Sequence, residues 1–341
     1  MLVNNVVKKG ENIMKRMICL IGMLVVVVSS MAQARTYKIG VVPWTGWSPV
    51  HVAEAKGFWK EQGLDVKVFN FPSNIAADAA LKNKRIDIDF EMIGTAVGLY
   101  WDGLPIVIIA ETDWSHGGDK IIVKQNLQVA DLKGKPIGVY LNQPSVTYFL
   151  NHYLVSLGLK LSDVRIVEME TGPLADKFIA GLFNVIVSYD PDALRSEREG
   201  KGKVVATSAT YAGCIPEGML ILKDNLQTIP PADLAGIFKG WATAVKWSQD
   251  PANWKEYMDI LNTKTFKGSE PYSEKDLQEM MAAVRIHDPK TQLERNRDGG
   301  GLQTYLKDLK AFLAANNLLK KDFTPEELFN NKAIVEVLRN Q

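Results

Sequence analysis

The 341-residue chain carries 40 basic and 39 acidic side chains, a formal net charge of +1, with 46% hydrophobic residues and two cysteines. A balance this even, with no basic run beyond residue 34, leaves no electrostatic footprint for a nucleic-acid backbone. Two cysteines exclude a disulfide-stapled fold, so core packing must hold the molecule, and the length suits about two domains.

Lys15 and Arg16 precede the apolar run Met17 to Val28, and Ala32-Gln33-Ala34 follows it. A basic start, a short apolar stretch and an Ala-x-Ala end are the pattern of a cleavable export signal. The run is shorter than the roughly 20 apolar residues that a spanning helix needs. Residues 1–34 are therefore expected to be a signal peptide, with Met14 the better start, and the mature protein to be periplasmic. Cys19 lies too early, after the large Ile18, to carry a lipid. Cleavage leaves Cys214 as a single thiol, expected to be half-buried rather than a nucleophile, and a mature charge of −2, from 36 basic and 38 acidic residues.

Tyr37 to Val42 reads as a strand, 43–48 as a loop, and Pro49 to Lys56 as a helix with proline in its first turn and Gly57 as its stop. Leu64 to Phe69 is a strand, and Ser73 caps a helix from Asn74 to Leu81. Strands at Ile86 to Phe90 and Ile106 to Ala110 flank a helix near Thr95 to Trp101. The order then repeats: strand Pro136 to Tyr140, helix from Pro144 to Gly158, strand Val164 to Met169, helix Pro173 to Leu182, strand Val185 to Tyr189. Two βαβαβ units predict two parallel sheets with crossover helices. Asp119 to Lys124 is the expected first crossing between them and Met219 to Leu222 the return. That assigns 35–122 and 219–341 to lobe one and 123–218 to lobe two. The tail is helical, with Thr324 and Glu327 as a capping box.

Ligands of open parallel sheets bind beyond the carboxyl ends of the strands. In lobe one those ends carry Trp44, Trp47 and Ser48, then Asn74, then Glu91 and Thr95, then Asp113, Trp114 and His116. In lobe two they carry Asn142 and Ser145, then Glu170, then Tyr189 and Asp190. These residues form the expected ligand-binding set. Three tryptophans on a few short loops need something to pack against, and a solute between two rims supplies it.

Four stretches, in order, carry a resemblance: KIGVVPWTGWSPVHVAEAKGFWKEQGLDVKV (38–68), SHGGDKIIVK (115–124), DLKGKPIGVYLNQPSVTYFLNHYLVSLGL (131–159) and AGLFNVIVSYDP (180–191). Together they resemble the ABC-transporter substrate-binding family that takes up nitrate, sulfonates, taurine and the thiamine pyrimidine precursor. The resemblance implies an α/β periplasmic-binding-protein fold of the two-crossing type (type II), two lobes joined by two crossing strands, and hinge closure on a small polar solute without chemistry. It implies an ABC permease and its ATPase as partners and a monomeric receptor without a cofactor. The chain departs from the family's habit at Asn184-Val185 and at Glu91-Met92. The second departure touches the expected pocket, so the ligand is not copied from any relative.

The pocket residues point two ways. Helix starts at Ser73-Asn74 and Ser145-Val146 offer free N–H groups to an anion. Glu91, Asp113, Asp119, Glu170 and Asp190, with the tryptophans, suit a nitrogen-bearing or cationic solute better. His51, His116, His152 and His287 show no metal-ligand spacing and no metal site is expected, and Gly299-Gly300-Gly301 reads as a flexible joint rather than a phosphate loop. The alternatives to a transport receptor are an enzyme like the pyrimidine-precursor synthases, whose cysteine-rich motif this chain lacks, and a ligand-sensing module for a membrane receptor.

Overall fold

A computed structural model describes residues 35–125, 127–128 and 132–340; the expected export signal, 1–34, lies outside the described residues. Eleven strands among these residues build two sheets. The first runs β2 (Asp65–Asn70), β1 (Thr36–Val41), β3 (Ile88–Met92), β10 (Pro216–Leu222), β4 (Ile106–Ser115), β11 (Val284–Ile286). The second runs β7 (Arg165–Glu168), β6 (Pro136–Val139), β8 (Val185–Tyr189), β5 (Asp119–Val123), β9 (Lys203–Thr207). Residues Tyr37–Gln341 cluster as one unit, so the two sheets are lobes of a single body.

The sheets are mixed, where the sequence predicted parallel ones. β1 and β3 run parallel, as do β6 with β7 and with β8. β10, however, lies antiparallel between β3 and β4, and β5 lies antiparallel between β8 and β9. Both reversed strands are the ones that enter a lobe after a crossing. The chain arrives from the opposite lobe and so runs against the strands already laid down. The crossings themselves are connections, His116–Gly118 and Ser208–Ile215, because Asp119–Val123 pairs wholly in the second sheet and Pro216–Leu222 wholly in the first.

The reversed β10 also explains two misplaced strand ends. β3 runs on through Glu91 and Met92 because these pair with Gly218 and Glu217. β4 runs to Ser115 rather than Ala110 because Trp114 pairs with Pro216 and Asp113 with Glu217. A partner more than 100 residues downstream leaves no local signal.

Most predicted helices form within two residues of their expected ends. α1 (Pro49–Lys56) stops at Gly57, whose φ of 77° is left-handed. α2 (Asn74–Lys82) is capped by the Ser73 hydroxyl, which accepts from the Ala76 N–H at 3.3 Å. α3 (Ile93–Trp101) belongs to lobe one, α4 (Pro144–Ser156) to lobe two. Their starts meet: a Cβ on Gly94 would lie 2.7 Å from the Ser145 backbone nitrogen, so only glycine permits this approach. Thr95 and Ser145 hydroxyls lie 3.2 Å apart across the same contact.

Lobe one's core gathers Phe90, Trp47 and Trp241 beneath α8 (Pro231–Ser248), with ring centroids 5.1 Å apart for Phe90 and Trp241. The helix Pro289–Asn296, which the sequence reading did not foresee, packs beside β4. The triple glycine after it is no flexible joint. A Cβ on Gly300 would strike the Glu294 carbonyl at 2.4 Å, and one on Gly301 would strike the Arg295 guanidinium. The glycines let the chain turn tightly over Arg295 before the helix Gly301–Ala315. The Thr324–Glu327 capping box is present.

Candidate functional site

The loop after β1 brings two indoles to the boundary between the lobes. Trp44 and Trp47 are 4% and 2% exposed. Gly118, on the first crossing, makes room for Trp44: a Cβ there would lie 2.1 Å from the indole edge. Between the lobes lies a narrow cavity of about 20 Å³. Lobe one supplies Val42, Trp44, Trp47, Asn74, Met92 and Glu217, and lobe two supplies Asp119, Tyr140 and Tyr189. Tyr189 meets Trp44 edge-on at 5.9 Å and Tyr140 at 4.8 Å, so three rings form one angular wall.

The polar groups of the wall are carboxyls. Glu217 accepts from the Trp44 indole N–H at 2.6 Å, and Asp119 accepts from the Tyr140 hydroxyl at 2.6 Å. Behind Glu217 lies Asp113, its hydrogen-bond partner across the β4–β10 pair. Behind Asn74 lies Glu91, which accepts from the Asn74 amide at 2.6 Å. Burial pushes all four carboxyls up: Asp119 to about 6, Glu91 to about 7, Glu217 well above its ordinary range, and Asp113 in the same direction. Among the described residues, no lysine, arginine or histidine lines the cavity. The Trp47 indole N–H, also on this wall, has no hydrogen-bond partner.

Both helix starts are engaged within the protein. The first-turn amide of α2 is taken by Ser73, and the Asn74 side chain turns to Glu91. The start of α4 is covered by Gly94 and Thr95. The arrangement therefore suits a small solute with an apolar, ring-accessible body that donates hydrogen bonds or carries positive charge.

A protein-family model described as the NMT1-like family matches residues 30–262. The chain belongs to the NMT1-like family. YtlA of Bacillus subtilis, described as a candidate binding protein, is 24% identical over 194 residues, covering 52% of this chain and 55% of that one. The chain spans about half the length of the curated relatives it matches. Among solved structures, the alkanesulfonate-binding protein SsuA from Xanthomonas axonopodis pv. citri, bound to MOPS, superposes with a TM-score of 0.69 at 15% identity over 88% of this chain and 99% of that one. The nitrate-binding protein NrtA of Synechocystis superposes with a TM-score of 0.68 at 14% identity over 90% of this chain and 89% of that one. These likenesses establish the periplasmic-binding-protein fold.

Within this family fold, the predicted site residues divide. Trp44, Trp47, Asn74 and Tyr189 reach the cavity wall. Glu91 and Asp113 stand behind it, as partners of Asn74 and Glu217. Thr95 and Ser145 meet each other across the lobes. Ser48 is turned inward, donating to the Thr45 carbonyl at 2.6 Å and meeting the Tyr257 hydroxyl at 2.5 Å. Asp190 is buried against Lys120 at 2.9 Å. Asn142 and Glu170 are exposed and do not line the cavity, and His116 lies on the crossing. Trp114 is the clearest displacement: as a strand residue it faces another hollow, beside Arg295 and Tyr148. Its indole N–H donates to Glu111 at 2.7 Å.

Sequence reasoning left Val42, Met92, Asp119, Tyr140 and Glu217 out of the binding set. Asp119 stands just beyond β4 and Tyr140 just after β6, so the strand-end rule reaches both. Glu217 was not, because it sits at the start of the reversed β10.

Proposed function

We propose that this chain is the solute receptor of an ABC-type importer, working in the periplasm and delivering a small polar solute to a membrane permease and its ATPase. The observation that carries this reading is the cavity walled by side chains of both lobes. A site assembled from two bodies joined by two short connections is one that closes over its occupant. The names of the relatives, binding proteins for alkanesulfonate and nitrate, agree with that role. No helix among the described residues is long and apolar enough to cross a membrane.

The same cavity favours holding over chemistry. Burial pushes the Cys214 thiol well above its ordinary value, which leaves it un-ionised, and the thiol lies outside the cavity wall. Solute contact is assigned to Trp44, Trp47, Asn74 and Tyr189. The test is a thermal-shift screen of neutral, anionic and cationic small organic molecules, followed by small-angle scattering with the best of them. A stabilising solute should compact the protein and lose its effect in Trp44→Ala. An identical scattering profile with and without a tightly bound solute would count against closure, and an unchanged affinity in Trp44→Ala would place the site elsewhere.

A further inference from the structure

We infer that the solute is a small organic cation bearing a hydrogen-bond acceptor, held between Glu217 of lobe one and Asp119 of lobe two. This deepens the solute-receptor reading and rests on it.

The wall offers three kinds of contact and lacks a fourth. Rings of Trp44, Tyr140 and Tyr189 line the cavity, and a ring face is what a cation uses. Glu217 and Asp119 present carboxyl oxygens from opposite lobes. The Trp47 indole N–H is unpartnered although the residue is only 2% exposed, and an acceptor atom on the solute would satisfy it. What is lacking is a positive charge. Lys120 already holds Asp190 at 2.9 Å and Glu197 at 3.0 Å. His287 and Arg295 are both drawn to Glu111, at 3.1 and 2.7 Å.

The groups facing the three carboxyls include no free cation, and Tyr140 faces both Asp119 and Glu217. Asp119 faces Ser115, Tyr140, Tyr189, Cys214, Asp190 and Glu217. Glu217 faces Trp44, Asp113 and Asp119, and Asp113 also meets Thr112, with His287 and Glu111 further off. Carboxyls buried without a counter-charge keep their protons. A monovalent cation placed among them reverses that balance: it takes the place of one proton, that of the Glu217–Asp113 pair, which leaves to solvent, and the charge of the cavity stays constant. An anion would instead find no positive side chain on the wall to pair with.

The exchange predicts a specific pH response. With the Asp119 value near 6, the competent, ionised fraction falls about tenfold between pH 8 and pH 5, and apparent affinity falls with it. The experiment uses the mature protein and named probes. Choline, methylguanidinium and N-methylpyridinium are compared with methanesulfonate, taurine and nitrate by thermal shift, then by calorimetry at pH 8 and pH 5 in buffers of different ionisation enthalpy. At least one cation is expected to bind, about tenfold more tightly at pH 8, with proton release, and to lose most of its affinity in both Asp119→Asn and Glu217→Gln. Two isosteric variants guard against one of them failing to fold.

Binding of an anion that is lost in Trp44→Ala would overturn the charge assignment and leave the receptor reading standing. A cation that binds without releasing protons, or equally well at both pH values, would overturn the exchange. A response to none of the charged probes, with a neutral solute binding instead, would overturn the inference alone, and silence from every class of solute would count against both readings.

Discussion

Two tryptophan–glutamate pairs, their carboxyls on the neighbouring strands β4 and β10 of lobe one, meet opposite fates. Trp114 donates to Glu111 at 2.7 Å, and Trp44 donates to Glu217 at 2.6 Å. Both carboxyls are buried. Glu111 receives the Arg295 guanidinium on both oxygens, at 2.7 and 3.1 Å, together with His287, and its carboxyl is held below the usual range. Arg295 also lies 4.8 Å over the Trp114 ring. Glu217 meets no cation, only the Trp44 N–H and other acids, and its carboxyl is pushed up. The same fold thus completes one pair internally and leaves the other open to the cavity. A buried acid acquires a function when the protein supplies everything except its counter-charge.

The sharpest way to break this comparison is to remove the internal cation. Arg295→Ala should cost about 3–5 kcal/mol in urea unfolding, because Glu111 is then a buried charge without its partner. Glu217→Gln, by contrast, should leave stability near wild type, since it replaces a proton-holding carboxyl with a neutral isostere. Equal losses would erase the distinction between the two pairs.

The open side should also show itself in pH. Asp78, near Glu91, is pushed up to about 8 by burial and by the charges of Glu91 and Asp102, and Glu91 is pushed up to about 7 by burial. The native protein therefore binds more protons than the unfolded chain above the ordinary carboxylate range, and stability falls as pH rises through these values. His51, pushed down to about 4, acts in the opposite sense, but its contribution is lost only as pH falls below the ordinary histidine value. Between pH 6.5 and pH 8.5 the solute-free protein should lose about 1–3 kcal/mol. Asp78→Asn should reduce that slope, Glu91 and Glu217 keeping the rest, and a flat urea-unfolding profile of the wild type would contradict it.

Binding separates the indoles next. Trp44→Ala should weaken the solute by about 1–3 kcal/mol, the size of a lost buried aromatic contact, while Trp114→Ala leaves affinity unchanged and lowers stability. Titration calorimetry of both variants reads this directly. The smallest effect concerns the contact between α3 and α4. Gly98→Ala meets only the flexible end of Gln143, so it should cost about 1 kcal/mol or less in chemical unfolding. Gly94→Ala meets the Ser145 backbone and should instead hold the lobes apart, which a larger radius in scattering would reveal.

Much of the fold was legible in local chemistry. Proline at the start of α1, glycine after it, and the Ser73 cap of α2 each express a rule that acts within a few residues. Apolar runs bounded by turn residues placed most strands, and the strand-end rule carried Trp44, Trp47, Asn74 and Tyr189 to the cavity. The rule failed where strands ran longer than their local pattern: Trp114 and Asp113 looked like loop residues because β10, which pairs with them, comes from distant sequence.

The sequence by itself determined the βαβ units, their repetition, the surplus of acids near the strand ends and the want of basic residues there, because periodicity, capping and composition are local properties. Tertiary structure alone decided which acid received a cation. The return crossing lays β10 antiparallel between β3 and β4, which sets Glu217 beside Asp113 and facing the cavity, while the turn before the helix Gly301–Ala315 delivers Arg295 to Glu111. Pairing across more than 100 residues depends on how the lobes are threaded, and charge compensation follows from that threading.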